Sequence, residues 1–332
     1  MRCGVGGRAA ALLVLALSVA CVEGRRWERL LVIEPHDGVL LYAGSSEDET
    51  STSNGATQRL QRLPGALAAS YSFKNFNRDR LTVNFSLKAA AYAQYEAAFG
   101  YYKRDLDEIE QWHKTARDSA YRYAVQTRKS QAQLDAAVAA IDRQRDDKIH
   151  EYMSSHGFRI MPGRVVTIDV PGVVKKNAAL MNTVAGALQK VADDRGYDSE
   201  SVIGSALSLV QTAIIYKIPP DIEPDGRHTG GILQPATTLV KGWGDCDTKT
   251  TLLASILVNW PNLRMVGVSV PGHYLMGVLR IPGRGDAYID YRGAQYVLVE
   301  PAGPAWLPIG QVASTTQPLL EASEGFRIDP LF

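Results

Sequence analysis

Only three cysteines occur in 332 residues, Cys3, Cys21 and Cys246, too few for a fold stapled by disulfides. Charge of one sign is not in surplus: 36 Lys and Arg stand against 35 Asp and Glu. Binding to nucleic acid through counterion release needs clustered excess Lys and Arg, so no nucleic-acid partner is expected. No apolar run reaches the ~20 residues of a bilayer-spanning helix. There is no Gly-rich phosphate loop or dinucleotide fingerprint, and no His/Cys cluster suggests zinc. What remains is globular: 45% of the residues are apolar and 21% charged, enough to bury one large core or two ordinary ones.

The N-terminus reads as an export signal. Arg2 and Arg8 precede an apolar run from Ala9 to Ala20, and Ser18-Val19-Ala20 supplies the small residues that a signal peptidase accepts. Residues 1–21 are expected to be removed, which directs the body to the cell envelope or periplasm. Ser18-Val19-Ala20-Cys21 resembles a relaxed lipobox with its Leu one place early, at Leu17. Lipidation of Cys21, the sole membrane attachment expected, and ordinary cleavage both remain open. In either case the exported body keeps a single thiol, Cys246, in an oxidising compartment.

Beyond the signal, Arg29 to Glu34 and Val39 to Tyr42 are strand-like around the turn Pro35-His36-Asp37-Gly38. Residues 45–58 are Ser, Thr, Asp and Glu with little to bury and read as a flexible loop, and Leu81 to Ser86 reads as a strand, so residues 22–100 form a small β-containing region. From Tyr101 to His156 there is neither Gly nor Pro, with apolar residues at Leu106, Ile109, Trp112 and Ala116 and again at Leu134, Val138 and Ile141. The spacing predicts one long helix or a helical hairpin turning near Ser130. Its ten basic and ten acidic residues suit a solvated, ion-paired face. The arm either packs on its own body or recruits an envelope partner as a coiled coil, though Arg145 and Lys148 interrupt the seam. Gly157, Pro162 and Gly163 place a domain boundary near residue 160. Leu180, Val184, Leu188 and Val191 mark one following helix, and Val202, Ala206, Leu209 and Ala213 a second, capped by Asp198 or Ser199.

The chemistry concentrates after Gly242-Trp243-Gly244-Asp245-Cys246-Asp247, where Leu252, Leu253, Ile256 and Leu257 form one helix face. Cys246 then lies in the first helical turn, where the dipole and unpaired N–H groups favour a thiolate. Asp245 and Asp247 oppose this unless they point away, act as caps or meet a cation. His273 opens the alternating run His273 to Leu279 after the turn Pro271-Gly272, and the hairpin Asp286 to Tyr291 and Gln295 to Glu300 carries carboxylates at Asp290 and Glu300. A helix-borne Cys, a strand-borne His and a strand-end acid are the parts of a thiol triad.

The ordered set Pro235 to Leu239, Gly244-Asp245-Cys246-Asp247, Gly272-His273 and Tyr296 to Pro301 resembles the bacterial transglutaminase-like cysteine peptidase group of the transglutaminase core superfamily, over residues 200–312. That resemblance implies an α+β fold in residues 160–332, a papain-like core with the cysteine on a central helix against an antiparallel sheet. It makes Cys246 the nucleophile, His273 the base and later acid, and Glu300 the orienting carboxylate. Glu300-Pro301-Ala302 departs from the commoner Asp-Pro-Thr, so Asp290 stands in reserve. Leu209 to Tyr216 is similar to a Gln-bearing helix end in the family, implying Gln211 with the Cys246 N–H as the oxyanion hole, with Gln234 in competition. Some relatives bind calcium beside the cysteine; Asp245 and Asp247 match, but Thr248 replaces a further acid, so no cofactor is expected.

The expected activity is thiol-dependent amide acyl transfer on a peptide or protein. Hydrolysis is favoured over transamidation because no amine site can be read and water is always present. Against it stand a catalytically silent binding module, a protein-glutamine transglutaminase, and a structural role for residues 101–156 with the core as anchor.

Overall fold

The computed structural model describes residues 48–53, 55–303, 306–322 and 326–331. The export signal, Cys21 and the expected hairpin between Arg29 and Tyr42 lie outside them. Among the described residues no helix is long and apolar enough to cross a membrane. The chain is α+β. Its contacts divide it into two compact units: Ala98–Asp169 with Pro220–Gly231, and the described residues up to Ala97 with Val170–Pro219 and those from Ile232 onward.

The N-terminal strands form an antiparallel meander, β1 (Asp48–Ser53), β2 (Ala56–Leu63), β3 (Ala66–Lys74) and β4 (Arg80–Lys88), followed by helix α1 (Ala89–Ala97). The loop expected over 45–58 is therefore largely a β-hairpin. Backbone pairing from Asp48↔Gln61 to Ser53↔Ala56 forms it, and ladder hydrogen bonds need no apolar side chains, so a polar composition concealed it. Period-two alternation is clear further on. Leu81, Val83, Phe85 and Leu87 of β4 are buried and their neighbours exposed.

The smaller unit is built on a helical hairpin, α2 (Lys103–Gln126) and α3 (Gln131–Ser155). Ser130 caps α3 in a reciprocal box, accepting from Gln133 N–H at 3.3 Å while its own N–H donates to Gln133 Oε1 at 3.0 Å. Arg145 and Lys148, which break the apolar pattern, help join the two helices. Arg145 donates to Glu110 of α2 (Nε to Oε1, 2.9 Å), and the Lys148 ammonium lies 4.9 Å from the Trp112 ring centre. His113 Nε2 meets Asp142 Oδ1 at 2.7 Å, and this contact, with Arg117 and Arg145 nearby, holds the Asp142 carboxyl below its ordinary range. A hairpin of β5 (Phe158–Met161) and β6 (Val165–Ile168) follows, and Arg227–His228 pairs with Tyr101–Tyr102.

The larger unit resumes with α4 (Val170–Arg195), α5 (Ser199–Ala213), α6 (Pro235–Lys241) and α7 (Cys246–Leu257). A five-stranded antiparallel sheet comprises β7 (Met265–Val270), β8 (His273–Leu279), β9 (Tyr288–Tyr291), β10 (Ala294–Val299) and β11 (Arg327–Pro330) in the order β9-β10-β8-β7-β11; a short helix α8 (Gln317–Glu321) precedes β11. The expected boundary near 160 becomes a boundary at Asp169, and the N-terminal meander belongs with the helices and sheet that follow it. The reason is a buried polar lock. Gln58 Nε2 donates to Tyr71 Oη (2.7 Å) and to the Leu239 carbonyl (2.6 Å), and the Tyr71 hydroxyl donates to that same carbonyl. Gly242 ends α6 at φ 72°, and a Cβ there would stand 2.5 Å from Gln58 Oε1.

Tyr71→Phe keeps the ring and deletes the hydroxyl at a fully buried position; urea unfolding is expected to show a loss of about 1–2 kcal/mol.

Candidate functional site

Helix α7 is a buried helix with a polar sequence. Thr248, Lys249, Thr250, Thr251 and Ser255 are all fully buried, which is tolerable only because each finds a partner. Thr251 and Ser255 donate back to Asp247 O (2.6 Å) and Thr251 O (2.8 Å), and Thr250 Oγ1 donates to Tyr274 O of β8 at 3.1 Å. That last bond registers the helix against the sheet. Cys246 lies one turn before Thr250 on the same helix face, and His273 is the residue before Tyr274 on β8.

The approach to α7 is tight. A Cβ on Gly244 would stand 2.2 Å from Thr248 Cγ2, so this position needs glycine. Asp245 is the N-cap: its Oδ1 accepts the Thr248 hydroxyl at 2.6 Å and the Thr248 N–H at 3.4 Å, while Asp247 Oδ1 accepts the same N–H at 3.1 Å. Both flanking carboxylates therefore act as caps. Thr248 Oγ1 also accepts the Leu233 N–H at 3.2 Å. Asp245 is thus turned onto Thr248, and among the described residues no group of three or more His, Cys, Asp or Glu converges as metal ligands would.

His273 and Glu300 meet directly. His273 Nε2 lies 2.8 and 3.0 Å from the two carboxylate oxygens of Glu300. The pairing of β8 with β10, Met276↔Val299 in register, brings the end of β10 toward the start of β8. Glu300 is 2% exposed and the imidazole 14%, so the carboxylate is the inner partner. Its Oε2 also accepts the Thr316 hydroxyl at 2.9 Å. With Nε2 committed to the acid, Nδ1 is the ring nitrogen left for a further partner. Asp290 is on β9, exposed and in register with Gln295. It is separated from β8 by β10, so the carboxylate at the imidazole is Glu300.

Gln211 differs from its expected role. Fully buried on α5, it donates through Nε2 to Glu300 O (2.7 Å) and Leu307 O (2.9 Å), and its Oε1 accepts the Leu307 N–H at 3.0 Å. Both amide protons are committed to backbone carbonyls, leaving none for an oxyanion. Its effect is to pin the backbone of Glu300 and of Leu307 to α5. Gln234 is engaged as well, donating to Tyr95 O and accepting from Asn177 Nδ2.

Two residues of the network were not singled out from the sequence. Thr316 arrives from a loop far from any motif and offers no local signal. Lys249 does offer one. It shares the helix face of Leu252, Leu253 and Ile256, where a lysine must be buried with the leucines. Its Nζ donates to Ile214 O at 2.8 Å and Gln211 O at 3.4 Å, buried carbonyls at the C-terminal end of α5. Burial depresses its pKa from 10.5 to about 7, against the pull of Glu300, which raises it.

Comparison with family models, with curated proteins and with solved structures finds no match.

Gln211→Met, similar in length, strands the groups around Glu300 and is expected to cost about 2–4 kcal/mol in chemical unfolding. Lys249 supplies a pH signature. Between about pH 7 and 10.5 the unfolded chain holds a proton that the folded Lys249 has released, so this group's contribution to stability rises with pH across that window and is flat below it. Urea midpoints at pH 7 and pH 9 are expected to rise in wild type relative to Lys249→Met.

Proposed function

We propose that the chain is a thiol-dependent amide acyl transferase with hydrolysis as its outcome, acting on peptide or protein amides through Cys246, His273 and Glu300 in a papain-like, transglutaminase-type core. The observation that carries the proposal is the His273–Glu300 contact at 2.8 Å. A buried carboxylate fixes the imidazole by Nε2, holds its tautomer and stabilises an imidazolium. Cys246, which forms no disulfide among the described residues, lies where the helix dipole favours a thiolate. Export to the envelope, read from Arg2 to Ala20, and a partner for the helical arm belong to the same proposal.

The steps follow from those roles. The Cys246 proton passes to His273 Nδ1 as sulfur attacks the amide carbonyl carbon. The tetrahedral oxyanion falls to the Cys246 N–H at the start of α7, since the Thr248 N–H is taken by Asp245 and Asp247 and Gln211 has no proton to give. Collapse breaks the C–N bond, the leaving amine takes the proton from His273, and a thioester remains. Water then attacks, giving its proton to the imidazole; C–S cleavage releases the carboxylic acid, and the proton returns to sulfur. An amine in place of water makes the same thioester a transamidation intermediate.

One observation favours a second reading. Cys246 is 5% exposed, which suits a silent module whose thiol meets no substrate. Iodoacetamide labelling against pH separates the two. For an enzyme, Cys246 is expected to react at pH 6, with His273→Ala abolishing that reactivity and Glu300→Gln lowering it about tenfold or more. A profile with a midpoint near ~8.5, the value of an ordinary thiol, and unchanged in both variants would decide for the silent module.

A further inference from the structure

The fold buries a lysine one helical turn from Cys246, and its surroundings explain what it does there. Lys249 is fully buried on α7. Its Nζ joins the nucleophile's helix to the end of α5 through Ile214 O at 2.8 Å and Gln211 O at 3.4 Å. The residue whose carbonyl it holds, Gln211, grips the Glu300 carbonyl at 2.7 Å and both polar backbone groups of Leu307. The two clamps share a residue: α7 holds the end of α5, and α5 holds the strand end that presents the carboxylate. Lys249 and Glu300 also attract one another electrostatically.

We infer that Lys249 is a positioning residue for the His273–Glu300 pair, acting through the α5 terminus and as a buried positive charge that balances Glu300 while the imidazole is neutral. The inference rests on the thiol–imidazole–carboxylate reading above. Its physical basis is the cost of an isolated buried carboxylate. Glu300 is 2% exposed, its other partners are the neutral Thr316 hydroxyl and an imidazole that must gain and lose a proton during turnover, and on the acid side of neutrality, where labelling is read, a protonated Lys249 supplies a countercharge. The charged or titratable groups around this centre are Cys246, Asp245 and Asp247 on α7, His273 on β8 and Glu300 after β10. Both aspartates are engaged with Thr248. A lysine that merely filled space would be replaceable by methionine, which has nearly its length. One that balances charge would not.

The test is the pH profile of Cys246 alkylation in the full chain, for wild type, His273→Ala, Lys249→Met and Lys249→Gln. Removing a buried positive charge makes neighbouring groups hold protons more tightly. The acid limb is therefore expected to move up by about one pH unit in both lysine variants, so that labelling at pH 6 falls about tenfold, the scale for a unit charge several ångströms away. Lys249→Gln keeps a donor for Ile214 O but no charge, and it decides the matter should Lys249→Met fail to fold. A His273-dependent wild-type profile that neither lysine variant moves, with only thermal stability reduced, overturns the inference and leaves the functional reading standing. A wild-type profile that ignores His273→Ala removes the reading, and with it the pair that Lys249 would position.

Discussion

A carboxylate taken out of water must be met on every side, and the larger unit is organised around meeting Glu300. The imidazole of His273 takes both of its oxygens, the Thr316 hydroxyl takes one of them again, and Gln211 holds the backbone behind it. Each partner comes from a different element: β8, the chain preceding α8, and α5. A buried charge with a partner missing costs several kcal/mol, so the condition for burying Glu300 is also the condition for docking these elements in one arrangement. The same demand explains why α7 can be both polar and central. Its hydroxyls return to backbone carbonyls of the helix, donate to the Asp245 carboxylate or cross to Tyr274, so each of them is bonded.

The meander of β1–β4 enters through a second buried polar junction, where Gln58 and Tyr71 converge on the Leu239 carbonyl at the end of α6. That junction lies just before Gly242, Trp243 and Gly244, the turn that delivers Asp245 and Cys246 into α7. Backbone hydrogen bonds support the turn from the other side: Ile215 N–H donates to Gly242 O at 2.8 Å and Lys217 N–H to Gly244 O at 3.1 Å. The loop carrying the thiol is thus braced by the N-terminal sheet and by the chain leaving α5. A sheet that reads as a separate region is part of what holds the candidate nucleophile.

Much of this was legible residue by residue. Local rules act over one or two turns, so the hairpin turn at Ser130, the Asp198 cap, the start of α7 and the β8–β10 segments follow from capping residues, missing Gly and Pro, and alternation. The polar strand pairing over Asp48–Ser53 leaves no apolar trace in the sequence. Arg145 and Lys148 do interrupt the apolar seam, and only the fold shows that their partners Glu110 and Trp112 are on the other helix. Gln211 lies against Glu300 but braces backbone carbonyls rather than an oxyanion. A side chain's hydrogen-bond partners are not encoded in its neighbours along the chain.

By itself, the sequence determined the candidate thiol, imidazole and acid, and their order along the chain, because residue type and local periodicity suffice for that. Tertiary structure decided which carboxylate meets His273, since strand order places β10 between β9 and β8 and leaves Asp290 outside. It also decided that Gln211 braces the backbone, and that Lys249 is buried beside a helix end with carbonyls to satisfy. These are long-range matters: burial and pairing depend on what the rest of the chain brings to a position, and that is settled only when the sheet and helices close on one another.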